Sequence, residues 1–284
     1  MKGVLEGKAP AAALREKIRS LTAELSASGR PPLLAVIVAG NDPASLYYAG
    51  LLERSGKKEG IEVSVKHIRE TTTAELTDLV STLSANPEVD AILLQMPLPR
   101  PVDKRPVMGA VSPGKDVDGQ TPENLGLLAS GFACTAPATA RAVVKILIEN
   151  GISISGKKAV VIGRSTAVGL PSAMLLLREN ATVTLCHSRT EALEEQTREA
   201  DIVVASAGVP GLIGSGHIKP GGAVVDVGTT PLPDGGIAGD VRFEEVSAKA
   251  LVSPVKGGVG ALTLACLLEN TFELYRKNIL GKRT

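Results

Sequence analysis

Tryptophan is missing from this chain, and its aromatic rings are confined to three tyrosines and three phenylalanines. So few rings exclude the stacking platforms that grip single-stranded nucleic acid. An excess of charge is missing too: 31 Lys and Arg stand against 30 Asp and Glu, a net charge of +1. That balance offers no basic patch to phosphate backbones and no attraction to an anionic membrane. Only three cysteines occur, Cys134, Cys186 and Cys266, and they are too far apart for a metal site. They read as small buried apolar residues in a reducing compartment. No apolar run approaches the roughly 18 residues of a membrane span. The opening Met1-Lys-Gly-Val-Leu-Glu-Gly-Lys8 has no signal-like apolar core. These absences lead to the expectation of a soluble, cytoplasmic protein with no nucleic acid, membrane or metal among its partners. A hydrophobic content of 44% over 284 residues suffices for two modest domains.

What is present centres on Ala159-Val-Val-Ile-Gly163-Arg164-Ser165-Thr-Ala-Val168-Gly169-Leu-Pro171. Val160–Ile162 is a β-branched run of the kind found in buried parallel strands, and a helical pattern with an early proline follows from Pro171 to Arg178. A glycine turn between strand and helix binds anions, because helix N-terminal N–H groups and the helix dipole both face the ligand. The spacing is Gly-x-Ser-x-x-x-Gly, so an ordinary tight β–α turn is an equal alternative at this level. The next strand tips the balance. About 20 residues past such a turn, an NAD site carries a carboxylate for the ribose 2′-hydroxyl. Ala181–Thr190 contains no Asp or Glu, and Ser188 and Arg189 stand there instead, with Arg164 in the first turn. Such donors suit a 2′-phosphate. Two more apolar strands end at Gly208 and Gly228, and four strands in this succession predict a doubly wound sheet with its ligand at the C-terminal edge. The candidate cofactor residues are Gly163, Arg164, Ser165, Val168, Gly169, Ser188, Arg189, Gly208 and Thr229, and the cofactor is NADP.

Upstream, helix 9–25, strand 33–39, helix 44–60, strand 61–68, helix 73–85 and strand 91–94 form a separate β–α–β–α–β pattern. The stretch from Gln95 to Pro137 is rich in proline and glycine, the loop chemistry that often carries function. Helix 138–150 leads onward, and Gly257-Gly-Val-Gly260 opens a last helix over 261–277. The fold class is α/β: an N-terminal domain over 1–137 plus 262–284, and a Rossmann-like domain over 138–261.

In this order the stretches Asp42-Pro-Ala-Ser45 with Tyr48, Gln95-Met96-Pro-Leu-Pro99, Lys115-Asp-Val-Asp118-Gly119, Val161-Ile-Gly-Arg-Ser165, Cys186-His-Ser188, Asp226-Val-Gly228 and Gly257-Gly-Val-Gly260 carry a likeness. The chain resembles the bifunctional methylenetetrahydrofolate dehydrogenase/cyclohydrolase family along nearly its whole length. The resemblance implies a folate cleft between two α/β domains, hydride transfer from 5,10-methylenetetrahydrofolate to NADP+, and a homodimer in one-carbon metabolism. In many members the cleft then hydrates the methenyl cation and opens it to 10-formyltetrahydrofolate.

The resemblance gives catalytic parts to Tyr48, Gln95 and Asp118, and folate contacts to these with Leu52, Leu94, Met96, Gly257 and Gly260. A carboxylate at Asp118 suits the amino and N–H edge of a pterin. The alternative is that Asp116 or Asp118 merely caps the helix near Pro122. An amide at Gln95, past the end of a strand, can orient water or a folate nitrogen, or simply cap a loop. Tyr48 rather than Tyr47 has the family's spacing. The departure lies at 52, where the family's Tyr-x-x-x-Lys helix places a lysine on the tyrosine's face and this chain has Leu52. The expectation is that the dehydrogenase survives and the cyclohydrolase is weak or absent, because hydration needs a proton acceptor. Lys256 stands where the family has proline, and is either a relocated ammonium group or a solvated loop lysine.

Overall fold

A computed structural model describes residues 3–26, 29–233 and 235–281. The chain separates into two compact units, Ala13–Leu127 with Ala133–Thr135 and Leu267–Thr284, and Met1–Ala12 with Leu128–Phe132 and Ala136–Cys266. In the first, a parallel sheet is built of β1 (Leu33–Ala39), β2 (Glu62–Ile68) and β3 (Ala91–Leu94) in the order β2-β1-β3. β1 is an unbroken apolar run because it lies in the middle, and Leu34 to Ala39 are all buried. Its helices include α1 (Lys8–Ser26), α2 (Pro43–Lys58), α3 (Thr73–Ala85), α4 (Lys104–Gly109) and α5 (Pro122–Ala129). Ile37, Leu76, Val80, Ile92, Leu94 and Val107 interlock in its core. Thr72 and Glu75 form a reciprocal capping box that starts α3 where the sequence predicts it.

The second unit contains α6 (Ala138–Glu149), β4 (Lys158–Ile162), α7 (Gly169–Arg178), β5 (Thr182–Cys186), α8 (Leu193–Thr197), β6 (Ile202–Ala205) and β7 (Ala223–Asp226). A short hairpin, β8 (Thr230–Pro231) with β9 (Ile237–Ala238), then α9 (Phe243–Ser247) and β10 (Leu251–Val252) follow, and α10 (Val259–Gly281) ends the chain. Its five parallel strands run in the order β10-β7-β6-β4-β5. From β4 the chain steps outward to β5 and returns to the other side of β4 for β6. That reversal is the topological switch point at which open α/β sheets bind ligands. β10 is a fifth strand that the sequence pattern did not reveal, being only two residues long. Gly3–Gly7 pairs with this region: Val4 bridges Val252, Leu5 N–H donates to Val252 O at 3.0 Å, and Gly7 N–H to Gly257 O at 3.0 Å. Residues 3–12 therefore pair with the five-stranded sheet. α7 starts two residues before Pro171, since Ser165 O takes the Leu170 N–H and proline has no N–H to leave unpaired. No helix among the described residues is long and apolar enough to cross a membrane.

Each unit is tied by buried carboxylates. In the three-stranded unit Asp90, 0% exposed, accepts from both Arg30 Nη atoms (2.5 and 2.8 Å), Leu33 N–H (2.9 Å) and Asn278 Nδ2 (3.3 Å). The Tyr275 hydroxyl donates to Arg30 O at 2.6 Å, and the guanidinium lies over its ring. In the other unit Asp226 accepts from the N–H groups of Gly228 (2.9 Å), Asp240 (3.0 Å) and Val241 (3.1 Å). Asp240 in turn accepts from Ala207 and Gly208 N–H at 2.6 and 3.0 Å. Three loops past the strand ends are thereby joined through two neighbouring carboxyl groups. Burial pushes the Asp226 carboxyl up to about 6; its backbone donors oppose the rise and the Asp240 charge adds to it.

Two outcomes are expected. Asp90→Ala takes from Arg30 its sealed partner, leaving Glu88 at 3.1 Å, and takes from the Leu33 N–H its acceptor; it should cost about 1–3 kcal/mol in urea unfolding. For Asp226, the native carboxyl binds its proton more tightly than the unfolded one, so its stabilising contribution is complete below about pH 4 and is lost as pH rises through about 6. A carboxyl-carbon NMR titration should find that midpoint, and Asp226→Asn should flatten the fall in Tm across this window.

Candidate functional site

The candidate residues fall into two groups, one in each unit. In the five-stranded unit, Gly163 follows β4 with φ of 116°, and a Cβ there would lie 2.2 Å from Ser206 O. A Cβ on Gly169 would lie 1.9 Å from Gly163 O. Both positions therefore exclude any side chain, which brings the turn against β6 and against the first residue of α7. The Ser165 hydroxyl accepts from Val168 N–H at 3.2 Å, and the side chains of Arg164, Ser165 and Thr166 stay exposed. β4 and β5 pair in register, Ile162 opposite Cys186. Arg164 and Ser188 thus leave neighbouring strand ends at the same level, two residues on. Ser188 and Arg189 are exposed at the tip of a turn closed by Thr190 N–H to His187 O and His187 N–H to Thr190 Oγ1. Val168, Ser206, Gly208, Val227, Gly228, Thr229 and Thr230 line an open pocket of about 200 Å³. The nine residues expected to hold a cofactor therefore cluster at the C-terminal edge of one sheet, and Ser206 joins them. A dinucleotide phosphate fits this cradle: side chains are excluded where the backbone must approach, a helix N-terminus faces the turn, and hydroxyl and guanidinium donors flank it.

In the three-stranded unit the Lys115–Gly119 segment divides its labour residue by residue. Lys115 Nζ donates to Asn86 O (2.6 Å) and Leu83 O (3.4 Å), capping the end of α3. Asp116, 3% exposed, accepts from Thr121 N–H (2.7 Å) and Asn124 Nδ2 (3.0 Å), so the capping carboxylate is Asp116. Val117 is in the core, its carbonyl held by Asn270 Nδ2 at 2.8 Å. Gly119, with φ of 57°, turns the chain. Asp118 is half-buried and accepts from Gln120 Nε2 at 2.5 Å, while Lys104 Nζ donates to Gln120 Oε1 at 3.3 Å. Ile92 of β3 pairs with this segment (Ile92 N–H to Lys115 O, 2.7 Å), so Asp118 emerges beside the strand that delivers Gln95.

Gln95 N–H is fixed by Ile37 O at 2.9 Å, and its side-chain Nε2 is buried without a hydrogen-bond partner. A buried amide donor left in that state is costly, which marks the position as one awaiting an acceptor. Asp42 starts α2 by accepting from Ser45 N–H and Oγ, both at 2.8 Å, and Ser45 Oγ also bonds Met96 O at 3.2 Å. The Asp-Pro-Ala-Ser motif thus fastens the Tyr48 helix to the loop after β3. Tyr48 is half-buried, whereas Tyr47 is 70% exposed. Leu52 is 0% exposed, and Leu94 is also buried. Both side chains are enclosed by the three-stranded unit. Lys256 is exposed on the loop after β10, in the five-stranded unit with Gly257 and Gly260. Lys104 and Gln120 escaped sequence reading, because neither belongs to a motif. The Asp240 carboxylate under the Ala207–Gly208 turn left no signal either.

Comparison with known proteins gives the family directly. Residues 5–118 match the tetrahydrofolate dehydrogenase/cyclohydrolase catalytic domain, and residues 137–279 match the NAD(P)-binding domain of the same family. The bifunctional protein FolD 1 of Rubrobacter xylanophilus is 45% identical over 97% of this chain and 98% of its own. Among solved structures, the bifunctional FolD dehydrogenase/cyclohydrolase of Campylobacter jejuni superposes with a TM-score of 0.94 at 40% identity, covering 96% of this chain and 98% of that one. The Trypanosoma brucei enzyme, solved with NADP cofactor and an inhibitor, gives 0.93 at 35% identity, covering 97% and 98%. With both domains matched in order and such relatives over nearly its full length, the chain belongs to the tetrahydrofolate dehydrogenase/cyclohydrolase family.

Proposed function

We propose that this family member is an NADP-dependent 5,10-methylenetetrahydrofolate dehydrogenase whose hydrolysis of the methenyl product is weak or absent. The observation that carries the second half is Leu52. The helix face that bears Tyr48 has, one turn on, a fully buried hydrocarbon side chain. Leucine neither accepts nor donates a proton, and loss of such a group commonly costs ~10²–10⁴-fold in a step that needs one. Hydride transfer depends instead on the placement of two rings, since the product cation is stabilised by its own nitrogens. The exposure of Lys256 favours a solvated loop lysine over a relocated catalytic ammonium.

When bound, NADP+ supplies the hydride acceptor. Gly163 and Gly169 let the backbone approach its pyrophosphate, with Ser165 and the start of α7 alongside. Arg164, Ser188 and Arg189 hold the 2′-phosphate, and Val168, Gly208 and Thr229 line the adjoining pocket. In the three-stranded unit Asp118 accepts from the pterin's amino and ring N–H groups. Gln95 turns its amide toward a folate nitrogen or carbonyl, and Tyr48 covers a ring with its hydroxyl in the polar zone. The likeness to the family also supports a homodimer paired through the five-stranded unit, where Phe132, Ile148 and Leu177 expose apolar side chains (51–64%). Light scattering reads its mass.

Mixing the protein with methylenetetrahydrofolate and NADP+ should raise absorbance at 340 nm. Methenyltetrahydrofolate hydrolysis over buffer should run at least ~10²-fold below that rate, and parity between the two would refute the loss. Arg189→Ala should raise KM for NADP+ by ~10–100-fold, the worth of one charge-assisted phosphate contact, and leave KM for NAD+ unchanged.

A further inference from the structure

Lys104, Gln120 and Asp118 make a chain of donors and acceptors with one polarity. Lys104 Nζ donates to Gln120 Oε1 at 3.3 Å, and Gln120 Nε2 donates to Asp118 Oδ2 at 2.5 Å. An amide has unlike ends, so its orientation is decided by its neighbours. Turned over, it would set Oε1 against a carboxylate and its NH2 group against an ammonium, both repulsive. The ammonium therefore selects the rotamer in which Gln120 offers its N–H to Asp118. A half-buried cation polarises that amide and strengthens the bond it makes.

The backbones of both supporting residues are anchored. Asp103, just before Lys104, caps α4 by accepting from Arg105 N–H at 3.0 Å, and its own N–H is held by Thr73 Oγ1 at 2.9 Å. Val107 and Met108, in the same short helix, are sealed in the core. On the other side, Gln120 sits between Gly119 and Thr121, whose N–H is taken by Asp116. The lysine's reach to the amide is thus set by packed elements.

We propose that Lys104 and Gln120 are positioning residues that fix the Asp118 carboxylate for the donor edge of the pterin. This rests on the reading of Asp118 as a folate ligand. Neither residue touches the reacting atoms, so their effect is on folate affinity and passes entirely through Asp118.

The test is a double-mutant cycle on the full-length protein. It reads Kd for tetrahydrofolate by calorimetry, KM for both substrates and kcat, with Tm and NADP+ affinity as checks of folding. Lys104→Met and Gln120→Leu should each weaken tetrahydrofolate binding by ~5–10-fold, about the worth of one polarised hydrogen bond. NADP+ affinity and kcat should stay within ~2-fold, and Lys104→Arg, which keeps the donor, should restore binding. Lys104→Met added to Asp118→Ala should cost nothing further, since acting through one group makes the effects non-additive. If Asp118→Ala weakens folate binding while Lys104→Met and Gln120→Leu do not, the relay is overturned and the ligand role of Asp118 stands. Equal losses from Lys104→Met with and without Asp118 also overturn it, because Lys104 would then act by itself. An Asp118→Ala protein with unchanged folate affinity overturns both readings. Should Lys104→Met lower Tm, Lys104→Gln repeats the measurement with an uncharged donor, and full folate affinity in that folded variant overturns the ammonium's part in orienting Gln120.

Discussion

The cofactor half of the molecule depends on an exclusion: no side chain fits at Gly163 or Gly169. The first would drive a Cβ into the Ser206 carbonyl and the second into the carbonyl of Gly163 itself. Because the turn is stripped to backbone at both contacts, β4 delivers it flush against β6, at the point where strand order reverses. From that contact follow the position of α7, the shared level of Arg164 and Ser188, and the pocket walled by Ser206, Gly208 and Thr229. A larger residue at either glycine would displace every one of these at once.

The three-stranded unit reaches its arrangement by a different route, through side-chain anchors arranged around one functional group. Lys115, Asp116 and Val117 are spent on α3, α5 and α10, and what they leave at the surface is Asp118. Asp42 and Ser45 tie the start of α2 to the loop that Gln95 opens. Five consecutive residues of a motif thus contain one candidate ligand and its scaffold. Two carboxylates separated by a single residue acquire different work because one is sealed and the other is half-open.

Much of this was legible in the sequence wherever local chemistry and fold agree. β1, α3 and β3 span the residues that the sequence pattern gives them, 33–39, 73–85 and 91–94. The glycine turn and the missing carboxylate after β5 were equally readable, since spacing alone conveys both. β10 was not, because a two-residue strand has no periodicity and exists only by pairing with β7. The choice between Asp116 and Asp118 also lay beyond the sequence: both suit a cap, and only burial separates them. Lys104 is invisible for a similar reason, an unremarkable helix-start lysine whose partner lies 16 residues on and is met only after the chain has folded.

Gly3–Gly7 lies along the outer margin of β10, with backbone bonds from Leu5 to Val252 and from Val252 to Gly3. That margin would otherwise offer bare amide and carbonyl groups to any strand that drifted past, the usual beginning of edge-to-edge clumping. The leading residues therefore form a selvedge on the woven sheet, occupying the β10 margin with the chain's own backbone.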